Sequence, residues 1–300
     1  MIPAYDFNGV RIFQGDALET LRQMPAESVN CCVTSPPYFN LRDYQMPGQI
    51  GMEASPAAYV ARLVEMFGEV QRVLTKDGTL WLNLGDSYAA KNLLGIPWRV
   101  AFALQEAGWN LRMDIIWNKP APMPESVTDR PTKAHEYIFL LSKSEKYYYD
   151  AEAIGEAFAG TRMGASGARS LPYSKGSGRA DTLSDGIKGG LGISPLCGFK
   201  NKRSVWTVSG RESKYSGAHF ATFPPDLIVP CILAGCPEGG TVLDPFFGSG
   251  TTGLVAKRHG RKAVGIELNL DYICLAQKRL QQGALDMFED EQTNFTGGVK

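Results

Sequence analysis

The chain has 300 residues, enough to bury a full core as one large domain or as one domain with a substantial insertion. Its apolar and charged fractions, 44% and 21%, are those of an ordinary globular protein, and no apolar run is long enough to span a membrane. The N-terminus has no charged flank followed by an apolar stretch, so a cytoplasmic home is expected.

Six cysteines lie mostly inside apolar segments without close CxxC pairs, and there are only three histidines. That pattern speaks for small core hydrophobes in a reducing compartment and against a metal site. The formal net charge is zero, but its distribution is uneven. Between Gly160 and Tyr215 ten basic residues face three acidic ones, a net of +7 that leaves −7 for the rest. Such a segment fits a phosphate-binding footprint, and it also fits a solvated loop whose charges only keep it soluble.

In chain order, a strand is expected over Val10–Phe13, a helix from about Ala17 to Gln23 and an apolar strand over Val29–Thr34. Ser55 is a good N-cap with Pro56 at the first helical position, and Val60, Leu63, Val64, Phe67 and Leu74 fall on one helical face. Thr79–Leu84 reads as a strand, Pro97–Ala107 as a helix, and Leu111–Trp117 and Tyr137–Ser142 as strands. Pro225–Ala234 reads as a helix distorted at Pro230. Strand Thr241–Leu243, helix Thr251–His259, strand Ala263–Glu267 and helix Leu270–Gln281 complete the pattern.

The alternation implies an α/β fold, a mostly parallel doubly wound sheet covered on both faces. Residues 147–203, rich in Gly and Ser, interrupt it as a loop-built insertion. The body is then discontinuous, 1–146 with 204–285, followed by a polar, flexible tail over 286–300.

Two segments carry chemistry. In the first, a strand ending at Asp244 is followed by Pro245, Phe246, Gly248 and Gly250, and then by a helix from Thr251. Glycines let backbone approach a ligand, and the helix start offers free N–H groups. The next strand ends at Glu267, 23 residues on, a separation that suits an acid taking ribose hydroxyls. The fingerprint GxGxxG is absent, which disfavours a dinucleotide.

The second segment is Ser35-Pro36-Pro37-Tyr38. An exocyclic amino group of a nucleobase is a poor nucleophile because its lone pair is delocalised into the ring. Ser35 Oγ and the Pro36 carbonyl could accept its two hydrogens and localise that pair. Pro36 and Pro37 stiffen the acceptors, and Tyr38 supplies a stacking face. An ordinary rigid turn is the plainer reading of a Ser-Pro-Pro run alone. Together the two segments suggest methyl transfer from S-adenosyl-L-methionine to a nucleobase.

On these motifs the chain resembles the β-class amino-methyltransferases of DNA, in which the catalytic motif precedes the cofactor motif. The resemblance covers nearly all of Val10–Leu280. It implies a Rossmann-like methyltransferase sheet of seven strands, one antiparallel near an edge, and a target base flipped out of double-stranded DNA. It makes Ser35, Pro36, Pro37 and Tyr38 catalytic. It makes Thr34, Asp244, Pro245, Phe246, Gly248, Gly250 and Thr251 cofactor-binding, with Glu267 and Asn269 at the ribose. Asp16, in Gly15-Asp16-Ala17-Leu18, would approach the adenine, and Phe223 and Pro224 the methionine end. His135-Glu136-Tyr137 and Val205-Trp206 are also familiar in the family.

Serine before Pro-Pro-Tyr is commoner in enzymes acting on N4 of cytosine, and aspartate in those acting on N6 of adenine. N4 of cytosine is therefore favoured, with N6 of adenine as the alternative. A non-catalytic DNA-binding module with a retired site is a second alternative, against which the intact Ser35, Tyr38, Asp244 and Glu267 speak. The insertion is expected to face DNA and to order on it, with Arg162, Arg169, Lys175, Arg179, Lys202 and Arg203 as candidate contacts. A homodimer and a cognate restriction endonuclease stay open as partners.

Overall fold

A computed structural model describes residues 2–157, 199–210 and 223–282. Their contacts divide the chain into two compact units, Met1–Asp150 with Ser204–Lys300, and Ala151–Arg203.

The first unit opens with β1 (Tyr5–Phe7) and β2 (Val10–Gln14), followed by α1 (Ala17–Gln23) and β3 (Val29–Thr34). Asn8 and Gly9 both have positive φ, which suits the two-residue turn pairing Phe7 with Val10. Next come α2 (Pro56–Val73) and β4 (Leu74–Leu84). Ser55 caps α2 by accepting from the Ala58 amide at 3.2 Å, and Pro56 follows at the first turn. Pairing of β4 with β3 jumps from Val29↔Leu74 to Cys31↔Thr79, so the continuous ladder begins at Thr79, where the sequence expectation starts the strand.

A small hairpin of β5 (Tyr88–Ala89) and β6 (Asn92–Leu93) leads to α3 (Ile96–Glu106), β7 (Asn110–Asn118) and β8 (His135–Ser142). The unit also holds Tyr147–Asp150, whose Tyr148 and Asp150 amides donate to the carbonyls of Asp77 and Ala234 at 2.9 and 3.0 Å. In the second unit, the described residues contain β9 (Glu156–Ala157) antiparallel to β10 (Phe199–Lys200).

The first unit resumes with β11 (Val205–Thr207) and α4 (Pro225–Gly235). The helix runs unbroken through Pro230, which has no N–H for the Asp226 carbonyl. It ends with β12 (Thr241–Asp244), α5 (Thr251–Arg258), β13 (Lys262–Glu267) and a further helix, α6, over residues 270–282.

One sheet of nine strands has the order β1-β2-β13-β12-β3-β4-β8-β7-β11. This corrects the seven-strand expectation. The β1 hairpin arm and β11 lengthen the two edges, and the antiparallel β8 lies inside the sheet between β4 and β7. Helices α1, α2 and α3 cover one face, and α4 and α5 the other.

Side chains alternate along β4, with Leu80, Leu82 and Leu84 in the core beneath α2 and α3. On the opposite face Gly235 of α4 lies so close that a Cβ there would meet Trp81 Nε1 at 2.4 Å. From β12 the chain moves on to β13, and from β3 to β4, in opposite directions across the sheet. The crevice over the ends of β12 and β3 is thus the topological switch point, where ligands bind in sheets of this kind.

Candidate active site

A cavity of about 330 Å³ opens at that crevice. It is lined by residues at or just beyond the ends of β2, β3, β4, β12 and β13, and by the loop after Tyr38.

One wall is built on Glu267. Its Oε2 accepts from the Gly248 amide at 2.7 Å and its Oε1 from the Asn269 amide at 2.8 Å. A carboxylate has roughly four acceptor sites, so each oxygen keeps capacity for a ligand hydroxyl. Burial raises the Glu267 carboxyl above its ordinary value, and the backbone amides of Asn269, Gly248 and Leu268 oppose that shift. Asp16, the N-cap of α1, accepts from the Glu19 amide at 3.0 Å and reaches the same cavity. Phe246, Pro245, Gly248, Asn269 and Phe223 complete the expected lining. Tyr44, Ile50 and Tyr272 join them, with Tyr44 and Tyr272 meeting edge to face at 6.4 Å.

Asp244 does not face the cavity. It is 2% exposed, and its carboxylate accepts from Thr34 Oγ1 at 2.6 Å, Thr252 Oγ1 at 2.6 Å and the Phe246 amide at 3.0 Å. It therefore ties the end of β3, the turn after β12 and the start of α5 into one piece. Burial lifts its carboxyl to about 6 against those three bonds. Thr34, Gly250, Thr251 and Pro224 also lie outside the lining. Gly250 is the left-handed N-cap of α5 at φ +85°, and Pro224 is the N-cap of α4. Buried Thr251 Oγ1 accepts from Arg279 at 3.2 Å. The turn before α5 is thus held from behind, and Gly248 and Ser249 are its residues in the cavity lining.

The turn itself rests on Phe247, which is buried. A Cβ at Gly265 would meet its ring at 2.3 Å, one at Gly253 at 2.6 Å and one at Gly250 at 3.3 Å.

Ser35-Pro36-Pro37-Tyr38 lines the same cavity. Buried Tyr59 of α2 donates from its hydroxyl to the Pro37 carbonyl at 2.9 Å and packs on Phe39 with ring centroids 5.6 Å apart. The Tyr38 ring lies on Gly85 just after β4, where a Cβ would meet Tyr38 Cε2 at 2.4 Å. Its hydroxyl donates to Glu136 Oε2 at 2.6 Å and receives Ser35 Oγ at 3.3 Å. Burial first, and then Glu136, raises the phenol well above its ordinary value and keeps it protonated.

Glu136 is also held by Asn83 Nδ2 at 3.2 Å and by an ion pair with Lys119. The Lys119 ammonium sits 4.2 Å from the centre of the Trp117 ring. Asn83, Trp117, Lys119 and Glu136 all line the cavity and were not assigned from sequence. Of the four, only Glu136 carried a signal, as part of the familiar His-Glu-Tyr run.

Among the candidate DNA contacts, Arg162, Arg169, Lys175 and Arg179 lie outside the described residues. In the second unit Arg203 pairs with Glu156 at 2.9 Å, and Lys202 is its neighbour in sequence. No group of residues suited to hold a metal ion occurs among the described residues, and no helix there is long and apolar enough to cross a membrane.

A mostly parallel sheet with acids closing its strand ends, and a cavity at its switch point, is the Rossmann-like methyltransferase fold. The chain matches the solved PvuII DNA methyltransferase (cytosine-N4-specific) with a TM-score of 0.68 at 23% identity, over 92% of this chain and 87% of that one. It matches a Thermus thermophilus protein solved in complex with S-adenosyl-L-methionine with a TM-score of 0.57 at 26% identity, over 91% and 95%.

Residues 29–278 match the N6/N4 methyltransferase model described as DNA methylase, and the chain belongs to that family. It is 47% identical over 305 residues to the Type II methyltransferase M.Cfr9I of Citrobacter freundii, covering 92% of this chain and 89% of the relative. It is 44% identical over 299 residues to the Type II methyltransferase M.SmaI of Serratia marcescens, covering 90% of each. It is a DNA methyltransferase.

Proposed function

We propose that the protein moves a methyl group from S-adenosyl-L-methionine to N4 of a cytosine flipped out of double-stranded DNA. The observation that carries this reading is that one cavity holds both the Glu267 wall and the Ser35–Tyr38 wall.

The residues present fit the cofactor. Glu267 has acceptors left for ribose hydroxyls, Asp16 can accept from an adenine amino group, and Phe246, Ile50 and Tyr44 offer apolar surface to the ring. Phe223 would line the methionine end. Bound there, the cofactor supplies a methyl on a sulfonium, already activated for displacement.

The chain's own work is then alignment and activation of the amino group. Ser35 Oγ and the Pro36 carbonyl accept its two hydrogens, which draws the nitrogen lone pair out of the ring, and the nitrogen that gains the methyl gives up one of those hydrogens as a proton to solvent. Tyr38, backed on Gly85, stacks on the base, and the proline pair keeps the acceptors from relaxing. Flipping is required because the amino group of a paired base is engaged inside the duplex.

Serine at position 35 favours cytosine, and the names of the Type II relatives support a restriction–modification setting with a partner endonuclease. The test is to incubate the protein with isotope-labelled cofactor and mixed-sequence duplex DNA, then digest the product to nucleosides for mass spectrometry. Label in N4-methyldeoxycytidine is expected. Label only in N6-methyldeoxyadenosine would overturn the base assignment, and no label in DNA would overturn the activity.

A further inference from the structure

We infer that Glu136 is a positioning residue for the methyl transfer, acting on Ser35 through the Tyr38 hydroxyl. This rests on the reading of Ser35 as acceptor of the target amino group.

The geometry fixes the direction of a hydrogen-bond chain. Glu136, ion-paired to Lys119, is an acceptor only, so at 2.6 Å the Tyr38 hydroxyl hydrogen points to it. Asn83 Oδ1, at 3.2 Å from the same hydroxyl, is the weaker of its two acceptors, and Asn83 spends its amide hydrogens on Glu136 and on the Tyr137 carbonyl. With its own hydrogen committed, the Tyr38 oxygen can only accept, and Ser35 Oγ donates to it. Among the described residues no donor reaches Ser35 Oγ, so both its lone pairs are open to an incoming N–H. Without this polarity a serine hydroxyl could turn its hydrogen toward the base and oppose activation.

The fold explains how a residue this distant in sequence reaches the site. Strand β8 runs against its neighbours, so its first residues lie at the edge where the parallel strands end. Glu136, opposite Trp117, therefore arrives beside the Tyr38 loop. An apolar pair at 119 and 136 would leave the chain without a direction.

The test is a double-mutant cycle in single-turnover methylation, with cofactor affinity measured on every variant. Glu136→Gln and Tyr38→Phe should each slow transfer about 10- to 100-fold, the range of one charge-assisted hydrogen bond, with cofactor affinity unchanged. Adding Glu136→Gln to Tyr38→Phe should change the rate by less than about twofold, because the path is already cut. If Glu136→Gln fails to bind cofactor, Glu136→Asp carries the same cycle, since it keeps the charge beside Lys119 but falls short of the phenol. A wild-type rate in the variant at 136, or effects that multiply with Tyr38→Phe, would overturn the inference. Ser35→Ala at the full rate would instead overturn the reading beneath it.

Discussion

Asp244 should make the protein less stable at neutral pH than in mild acid, relative to an otherwise identical chain carrying Asn there. Its folded carboxyl titrates near 6 instead of 3.8, because burial outweighs its three hydrogen bonds. Between those values the folded state binds a proton that the unfolded state has lost, so this group's contribution to stability falls as pH rises and is level above about 6. At about 1.36 kcal/mol per pH unit the full cost is about 3 kcal/mol. The Asn amide keeps one acceptor oxygen and sets an uncharged donor group, with two N–H bonds against the acid's one O–H, in place of the other, so Asp244→Asn is the nearest uncharged reference in acid. Urea denaturation of both proteins from about pH 4 to about pH 7 should show the wild type losing about 2.4 kcal/mol relative to the variant, the rest being lost already at the acid end. Other carboxylates are common to the two proteins and cancel in the difference, except Glu267, whose carboxyl the Asp244 charge helps to raise. A difference that stays flat across this range would refute the buried, charged Asp244 described above.

Glu267→Ala removes the acceptors assigned to ribose and should weaken S-adenosylmethionine binding by about 1.5–3 kcal/mol while sparing DNA affinity, as read by calorimetry. Gly85→Ala would force a Cβ to 2.4 Å from the Tyr38 ring and should slow single-turnover transfer by up to about 100-fold with cofactor affinity intact. Neutralising Arg162, Arg169 or Arg179 should lower the salt dependence of DNA binding by about one unit of slope for each phosphate left unneutralised, or relax specificity at one base if the residue reads it. Amide exchange should slow between Gly160 and Tyr215 when DNA is added. Protection gained only elsewhere would move the recognition element.

Much of this was written locally in the chain. Ser55-Pro56 fixes where α2 begins, and the apolar run Val29–Thr34 is β3 to the residue. The Ser-Pro-Pro-Tyr loop and the acid at 267 do share a cavity. The Asn8-Gly9 turn carried an equally clear hairpin signal, but its outer strand, Tyr5–Phe7, is too short for periodicity to mark it. Periodicity also cannot give strand direction, so neither β8 nor the neighbourhood of Glu136 with Tyr38 and Asn83 could be read ahead of the fold. Asp244 shows a further gap: spacing identifies an acid at a strand end but not which way it points. Three donors from β3, the turn and α5 draw this one inward.

Phe247 changes what the glycines around it are for. Two of them, at 253 and 265, come from α5 and β13, and each is small because one ring occupies the room a methyl would need. They form a socket, and the ring is its plug. The three positions, 247, 253 and 265, should therefore vary together through evolution. A smaller plug such as leucine would open space for alanine at 253 or 265, whereas alanine at 265 against an intact phenylalanine would push the ring toward the backbone that holds Gly248 on Glu267. Selection for cofactor affinity would then act on the socket without any of its glycines touching the cofactor.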